Sequence, residues 1–271
     1  MNISVNGKII PRDKFLYPID SSGFMYGYGI FETMKIVENK ILFLEEHIDR
    51  LKNGCKILGL TLKYDFKDIK KYCYDLIHAN GITGGVVKLT YVNGDNNTLI
   101  ITTRKNSYKD EDYNRGFKVA FSDVKRNPYS KLVYVKSNNY LENILARREV
   151  VSRGYDEVIF ENIHNEICEG AISNIFFIKN KKIYTPKVEC GILSGIARTK
   201  VLELIKELNI NHEVGIFDKR TLLEADEIFI TNSLMDIMPI SQVDNKTFNI
   251  INYSITNLLI DKFKVFIKGK I

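Results

Sequence analysis

The 271-residue sequence predicts an α+β fold in two domains, because strand-like and helix-like periods alternate, stop at one polar stretch, and then resume. The stop is Lys125-Arg126-Asn127-Pro128-Tyr129-Ser130, which is broken by proline and has no period. It marks a linker over 123–132, between a small domain at 1–122 and a larger one at 133–271. A cleft between two such domains is the default place for a ligand.

Composition narrows the class. Hydrophobic residues make up 45% and charged residues 27%, which is ordinary globular usage and excludes a disordered chain. The net charge is +6, yet acids interleave with the lysines, as at Lys67, Asp68, Lys70, Lys71 and Asp75. A nucleic-acid footprint needs clustering, so no nucleic-acid partner is expected. No apolar run approaches the ~18 residues of a membrane helix, and no membrane partner is expected either. The chain opens on the alternating Asn2-Ile3-Ser4-Val5 and not on a signal peptide, which predicts a cytoplasmic protein. Cys55, Cys73, Cys168 and Cys190 lie far apart, which argues against a metal centre or a disulfide framework and fits a reducing cytosol.

The first domain opens with a hairpin, 3–5 and 8–10, around Asn6-Gly7. A glycine-punctuated loop, Gly23 to Gly29, leads to strands at 31–37 and 41–43, turned at Glu38-Asn39. Leu44, Ile48, Leu51, Cys55 and Leu58 recur at a helical period over 44–58. A second helix over 65–79 ends at Asn80-Gly81, and strands follow at 86–92, 98–103 and 118–122. Past the linker, Leu132-Val133-Tyr134-Val135 reads as an apolar strand ending on Lys136. A helix over 140–152 then places Leu141, Ile144, Leu145 and Val151 among its apolar positions. Strands are expected at 157–160, 172–178 and 182–184, a helix at 196–208, strands at 213–216, 227–231 and 236–239, and a last helix at 250–266.

Five places could carry chemistry. A lysine at a strand end, as Lys136 is placed, can be desolvated into a nucleophile, although one such lysine alone is more often surface solvation. Glu169-Gly170 puts one acid in an apolar segment, where an ordinary turn residue is the plainer reading. Ser194-Gly195 before a helix start leaves backbone N–H groups aimed at an anion, or simply caps the helix. On the first helix, Arg50 of His47-x-x-Arg50-Leu51 can fork onto a phosphate from the opposite domain, or lie in solvent. Thr231-Asn232-Ser233 ends a strand in a polar loop, where α/β folds place ligands.

These pieces occur in one order: Gly29-Ile30-Phe31-Glu32-Thr33, His47-x-x-Arg50-Leu51, Lys136 with Tyr140-Leu141, Glu169-Gly170, Gly191-Ile192-Leu193-x-Gly195-Ile196-x-Arg198, and Ala225-Asp226-Glu227 with Thr231-Asn232-Ser233. Together they resemble the fold-type IV pyridoxal-phosphate enzymes, which include branched-chain aminotransferases, D-amino-acid aminotransferases and 4-amino-4-deoxychorismate lyases. The resemblance runs from about Val5 to Ile240. It implies a D-amino-acid-aminotransferase-like architecture, with a small N-terminal α/β sandwich and a larger C-terminal domain around a β-barrel-like core. It also implies pyridoxal 5′-phosphate as cofactor, a small-molecule substrate, and a homodimer with sites near the subunit interface.

By the same resemblance Lys136 carries the cofactor as a Schiff base and shuttles protons, and Glu169 bonds the pyridine nitrogen. Arg50, the backbone amides of Ile196 and Ala197, and the Ser233 hydroxyl hold the phosphate. Aminotransferases often have threonine where this chain has Ala197, so only the backbone contact carries over there. Tyr140 faces the phenolic oxygen, in a loop one residue shorter than in branched-chain enzymes, and Ser173 and Asn174 line the same face. Tyr26, Phe31, Lys88 and Asn232 are expected at the substrate, Lys88 on a carboxylate.

Lys136 to Asn143 with Ala146-Arg147-Arg148-Glu149, and Thr231 to Pro239, are most similar to the bacterial lyases. Branched-chain enzymes tend to have Gly-Thr where this chain has Asn232-Ser233, and usually glycine at Thr33. The resemblance therefore implies a lyase of folate biosynthesis that makes 4-aminobenzoate and pyruvate, with Thr33 helping to protonate the leaving enolpyruvyl group. A class IV aminotransferase acting on branched-chain or D-amino acids with 2-oxoglutarate is the alternative, since some transaminases also carry threonine there.

Overall fold

The computed structural model describes residues 1–269. The chain forms two compact units, the first Met1–Ser107 with Val135–Tyr140, the second Tyr108–Tyr134 with Leu141–Gly269. This differs from the division the sequence suggested, because long-range pairing outweighs position in the chain. The strand expected at 118–122 pairs inside the second unit, whereas the lysine-bearing segment 135–140 packs into the first. Residues 131–134 form a 3₁₀ turn and not the expected strand.

The first unit contains β1 (Asn2–Val5), β2 (Lys8–Pro11), α1 (Ser22–Met25), β3 (Gly29–Val37), β4 (Lys40–Ile41), α2 (Leu44–Leu58), α3 (Phe66–Ala79), β5 (Gly85–Val92) and β6 (Thr98–Arg104). The strands form one antiparallel sheet in the order β2-β1-β6-β5-β3-β4. Asn6 and Gly7, at φ 51° and 84°, make the mirror-image turn whose twist suits a tight hairpin. Alternation along β3 buries Ile30, Glu32, Met34 and Ile36 on one face and turns Phe31, Thr33 and Lys35 to the other. Helices α2 and α3 cover the buried face with Ile48, Leu51, Cys55, Ile69, Cys73 and Leu76. A Cβ on Gly54 of α2 would lie 2.0 Å from Ile30 Cδ1, so a side chain there would displace Ile30. Phe43, at φ 53°, turns the chain into α2 and stops β4 at Ile41, short of the expected 43.

The second unit contains α4 (Asp110–Arg115), β7 (Phe117–Phe121), α5 (Leu141–Ser152), β8 (Glu157–Glu161), β9 (Ile167–Gly170), β10 (Asn174–Lys179), β11 (Lys182–Pro186), α6 (Ile196–Glu207), β12 (His212–Gly215), α7 (Lys219–Leu223), β13 (Glu227–Asn232), β14 (Asp236–Val243), β15 (Lys246–Thr247) and α8 (Ser254–Lys268). Its nine-stranded sheet runs β12-β11-β10-β13-β14-β7-β8-β9, with β15 beside β14. The sheet curls until its two ends nearly meet. Ile167, at the start of β9, donates to the Phe217 carbonyl at 2.8 Å, and Glu166 bridges Asp218, just past β12. Val119, Ile159, Ile175, Phe177, Ile228, Ile230 and Met238 fill the curl, which gives the β-barrel-like core.

Helix α5 reverses an expectation. It buries Asn143, Ala146 and Val150, while Leu141 is 65% exposed and Ile144 and Leu145 are each 54% exposed. Among the described residues no helix is long and apolar enough to cross a membrane.

Candidate active site

In the first unit the lysine segment acts as a short extra strand against β3. Phe31 donates its amide to the Lys136 carbonyl at 2.9 Å, Asn138 donates to the Gly29 carbonyl at 2.9 Å, and Ser137 bridges Ile30. Gly29 permits this approach, because a Cβ there would lie 2.5 Å from Asn138 Nδ2. Antiparallel pairing puts Lys136 opposite Phe31 and on the same face. Its Nζ accordingly lies 4.5 Å from the centre of the Phe31 ring and 5.6 Å from that of Tyr140. The two rings meet edge to face at 5.4 Å.

The same face carries Thr33 and Lys88, which are directly paired across β3 and β5. Lys88 Nζ also sits 4.6 Å from the centre of the Phe31 ring. Burial pulls the Lys88 amine below its ordinary pKa, and the charge of Arg104 pulls in the same direction. Phe31, Thr33, Lys88, Lys136 and Tyr140 thus form one aromatic and cationic cluster. Tyr26, also expected at the substrate, stands at the end of α1 and is 71% exposed.

Behind that face lies a network the sequence reading gave no role. Glu32, fully buried, accepts from Arg50 Nε at 2.7 Å and Nη2 at 2.6 Å, and from His47 Nδ1 at 2.6 Å. Burial pushes the Glu32 carboxyl up, but Arg50 and His47 outweigh it and hold the group at about 2. Burial pulls His47 below its ordinary 6.5 against the pull of Glu32, so the imidazole is neutral at pH 7 and its Nδ1–H donates. Arg50 therefore forks onto a carboxylate of its own unit, where the sequence suggested a phosphate or solvent. The available signal was an acid in the apolar register Ile30, Glu32, Met34, Ile36.

In the second unit Glu169 lies within β9 and is buried. Its Oε2 accepts from Asn174 Nδ2 and from the Leu193 amide, both at 3.0 Å, and the Asn174 amide also donates to the Leu193 carbonyl at 2.9 Å. A carboxylate anchored by one oxygen keeps a fixed direction, as a partner for a ring N–H must. Arg198 is buried near it and donates Nη2 to the Pro186 carbonyl at 2.9 Å. Burial lowers the pKa of Arg198, and the charge of Glu169 opposes that.

Gly195 is the N-cap of α6 and brings no side chain to its first turn. A Cβ there would lie 1.9 Å from Asn174 Oδ1, so the cap position is a cradle only glycine leaves open. The Ile196 and Ala197 amides, in that first turn, have no intrahelical acceptor and point where the helix dipole favours an anion. Each unit carries groups that fit a phosphorylated pyridine cofactor: in the first an amine among aromatic rings, in the second an anchored buried carboxylate and an anion seat.

The Ser173 hydroxyl donates to Glu157 at 3.3 Å, while the Asn174 amide serves Glu169. Asn232 organises its own turn, since its Oδ1 accepts from the Leu234 and Met235 amides and its Nδ2 donates to Tyr108 and the Ile172 carbonyl. Ser233, half-buried, stands in the turn Asn232 shapes.

Residues 29–243 match the protein family described as amino-transferase class IV. The chain is 31% identical over 281 residues to the aminodeoxychorismate lyase of Bacillus subtilis (strain 168), covering 99% of this chain and 96% of that one. It is 29% identical over 278 residues to a putative branched-chain-amino-acid aminotransferase of Methanocaldococcus jannaschii, covering 97% and 96%. The crystal structure of a putative 4-amino-4-deoxychorismate lyase from Legionella pneumophila superposes with a TM-score of 0.88 at 28% identity, covering 93% of this chain and 96% of that one.

Proposed function

Because the chain belongs to the class IV aminotransferase family, whose enzymes depend on pyridoxal 5′-phosphate, we propose that it splits 4-amino-4-deoxychorismate into 4-aminobenzoate and pyruvate. One observation carries the choice of a lyase. Thr33 and Lys88 are paired across two strands on the face that holds Phe31 and Lys136, which puts a hydroxyl and a second cation beside the amine. A substrate with two carboxylates and an enol-ether leaving group has a use for both. The resemblance to the Bacillus subtilis lyase supports the same reading.

Lys136 would hold the cofactor and exchange protons through Nζ. Glu169 would keep the ring nitrogen protonated, and Arg50, the Ile196 and Ala197 amides and the Ser233 hydroxyl would take the phosphate. Tyr140 would serve the phenolic oxygen. The cofactor, once bound, supplies an electron sink conjugated to the substrate's amino group. Lys136 then takes the ring proton, and the ring–oxygen bond to the enolpyruvyl group breaks with its electron pair leaving on oxygen. Thr33 relays a proton to that group, which becomes pyruvate, and the ring, having lost that one proton together with the ether oxygen, is the aromatic product. Lys88 binds a carboxylate. Unchanged lyase turnover in Thr33→Ala would remove Thr33 from this scheme.

The test is incubation of the purified protein with 4-amino-4-deoxychorismate, following 4-aminobenzoate and pyruvate together. Equal yields that vanish in Lys136→Ala support the lyase. The likeness to the Methanocaldococcus jannaschii aminotransferase favours a second reading. No product, with transfer of an amino group from a branched-chain amino acid or D-alanine to 2-oxoglutarate, would establish that one.

The exposed Leu141, Ile144 and Leu145 of α5 give this reading its quaternary part. An outward stripe of large apolar side chains marks an interaction surface, and we infer that a second copy of the chain covers it. We place this dimer, and with it folate synthesis, in the cytoplasm.

A further inference from the structure

We propose that Thr90 and Thr102 complete a seat for a substrate carboxylate beside the Lys88 ammonium, on the face of the first unit's sheet turned away from α2 and α3. The inference rests on the assignment of Lys88 to a carboxylate.

Three rows of directly paired residues follow one another on that face: Phe31, Thr90 and Ile100; then Thr33, Lys88 and Thr102; then Lys35, Val86 and Arg104. The rows bring cations and hydroxyls together and contain no acid. Lys88 is half-buried and has no carboxylate partner among the described residues, and the charge of Arg104 adds to the positive field around it. Taking a cation out of water without a partner is costly, and an anion brought by a ligand offsets that cost. Thr33, Thr90 and Thr102 are half-buried as well, and among the described residues none of their hydroxyls has a hydrogen-bond partner.

The Phe31 ring, 4.6 Å from Lys88 Nζ at its centre, stands on the flank of the ammonium toward β3. An anion meets the ammonium from the flank toward β6, where Thr102 lies directly opposite Lys88. Thr90 and Thr102 are diagonal neighbours across β5 and β6, about 7–8 Å apart on the ladder. A carboxylate bridges that gap with one hydroxyl donating to each oxygen, while Lys88 supplies the charge. Threonine also suits a strand by its shape alone, in which case the hydroxyls would be idle.

The test is binding to the full-length enzyme loaded with its cofactor, read by titration calorimetry. The probes are benzoate and pyruvate, one for each carboxylate of the substrate, with benzamide and pyruvamide as uncharged counterparts. At least one acid is expected to bind more tightly than its amide, and which one identifies the carboxylate as that of the ring or of the enolpyruvyl group. For that acid Thr90→Val and Thr102→Val, which keep the shape and lose the hydroxyl, should each lower affinity about tenfold, the scale of a hydrogen bond to a charged group. The amide should bind as before, and Thr102→Ser, which keeps a hydroxyl, should stay within about threefold of the unaltered chain. Valine variants that bind the acid unchanged, or that weaken acid and amide alike, overturn the proposal. So does an unaltered chain that prefers neither acid to its amide. If Lys88→Gln leaves the affinity for the acid unmoved, the assignment of Lys88 is what fails. A chain that binds the acid as expected yet makes no 4-aminobenzoate keeps the seat and loses the lyase.

Discussion

Lys136 and Phe31 are joined twice: the Phe31 amide donates to the Lys136 carbonyl at 2.9 Å, and the Lys136 ammonium lies 4.5 Å from the centre of the Phe31 ring. Main chain and side chain thus fix the amine against one residue of β3. The same residue places Lys88, so the sheet determines where both cations stand.

Replacing Lys136 with alanine should therefore abolish activity while leaving the fold in place, since the pairing to β3 is made by backbone atoms. We expect a loss of more than about a thousandfold in turnover, and loss of the visible absorbance of bound cofactor, with an unchanged urea midpoint. Turnover within tenfold of the unaltered enzyme would displace Lys136 from the chemistry.

Gly54→Ala should destabilise the first unit. The new methyl would lie 2.0 Å from Ile30 Cδ1 and 3.3 Å from Val135 Cγ1, an overpacking that costs about 1–3 kcal/mol. Adding Ile30→Val deletes the clashing methyl and should return part of that loss. Urea titrations of the two single variants and the double variant measure it, and strictly additive losses would contradict the contact.

Stability should fall in acid through the Glu32 network. The Glu32 contribution is complete above its ordinary value of 4.5 and disappears as the pH falls from there toward about 2, because the unfolded chain takes up the proton first. His47 acts in the same direction: its buried ring resists a proton that the unfolded chain accepts near 6.5, so stability also drops through that value. Urea midpoints at several pH values should decline less steeply below pH 4.5 in Glu32→Gln than in the unaltered chain. Parallel curves would contradict the network.

Leu145→Asp on α5 should convert the proposed dimer to monomer with little change in secondary structure, because the residue is 54% exposed within its own chain. Sedimentation velocity reads the change in mass. A variant that sediments like the unaltered protein would remove α5 from the interface.

Much of this architecture was legible because it is local. Asn6-Gly7 demands its hairpin, and the register of Ile48, Leu51 and Cys55 demands α2. The misreadings share one physical cause, surroundings that a local pattern does not encode. Leu132 to Val135 has the composition of a strand, but this stretch finds no ladder, and Tyr134 donates instead to the Pro128 carbonyl. In α5 the apolar stripe was visible, but periodicity cannot say whether a stripe faces its own core or another molecule. The Glu32 hub escaped because its partners lie 15 and 18 residues away on another element. Lys136 and Glu169 were legible only as members of an ordered set of motifs, for neither stands out in its own surroundings.

Lyase and transaminase separate in the number of turnovers on 4-amino-4-deoxychorismate when no 2-oxo acid is present. A lyase returns its cofactor unaltered in every cycle, so 4-aminobenzoate should accumulate far beyond the amount of enzyme, with pyruvate in equal quantity. A transaminase would leave the amino group on its cofactor and halt after one equivalent. Product that stops at or below one equivalent per site would contradict the lyase.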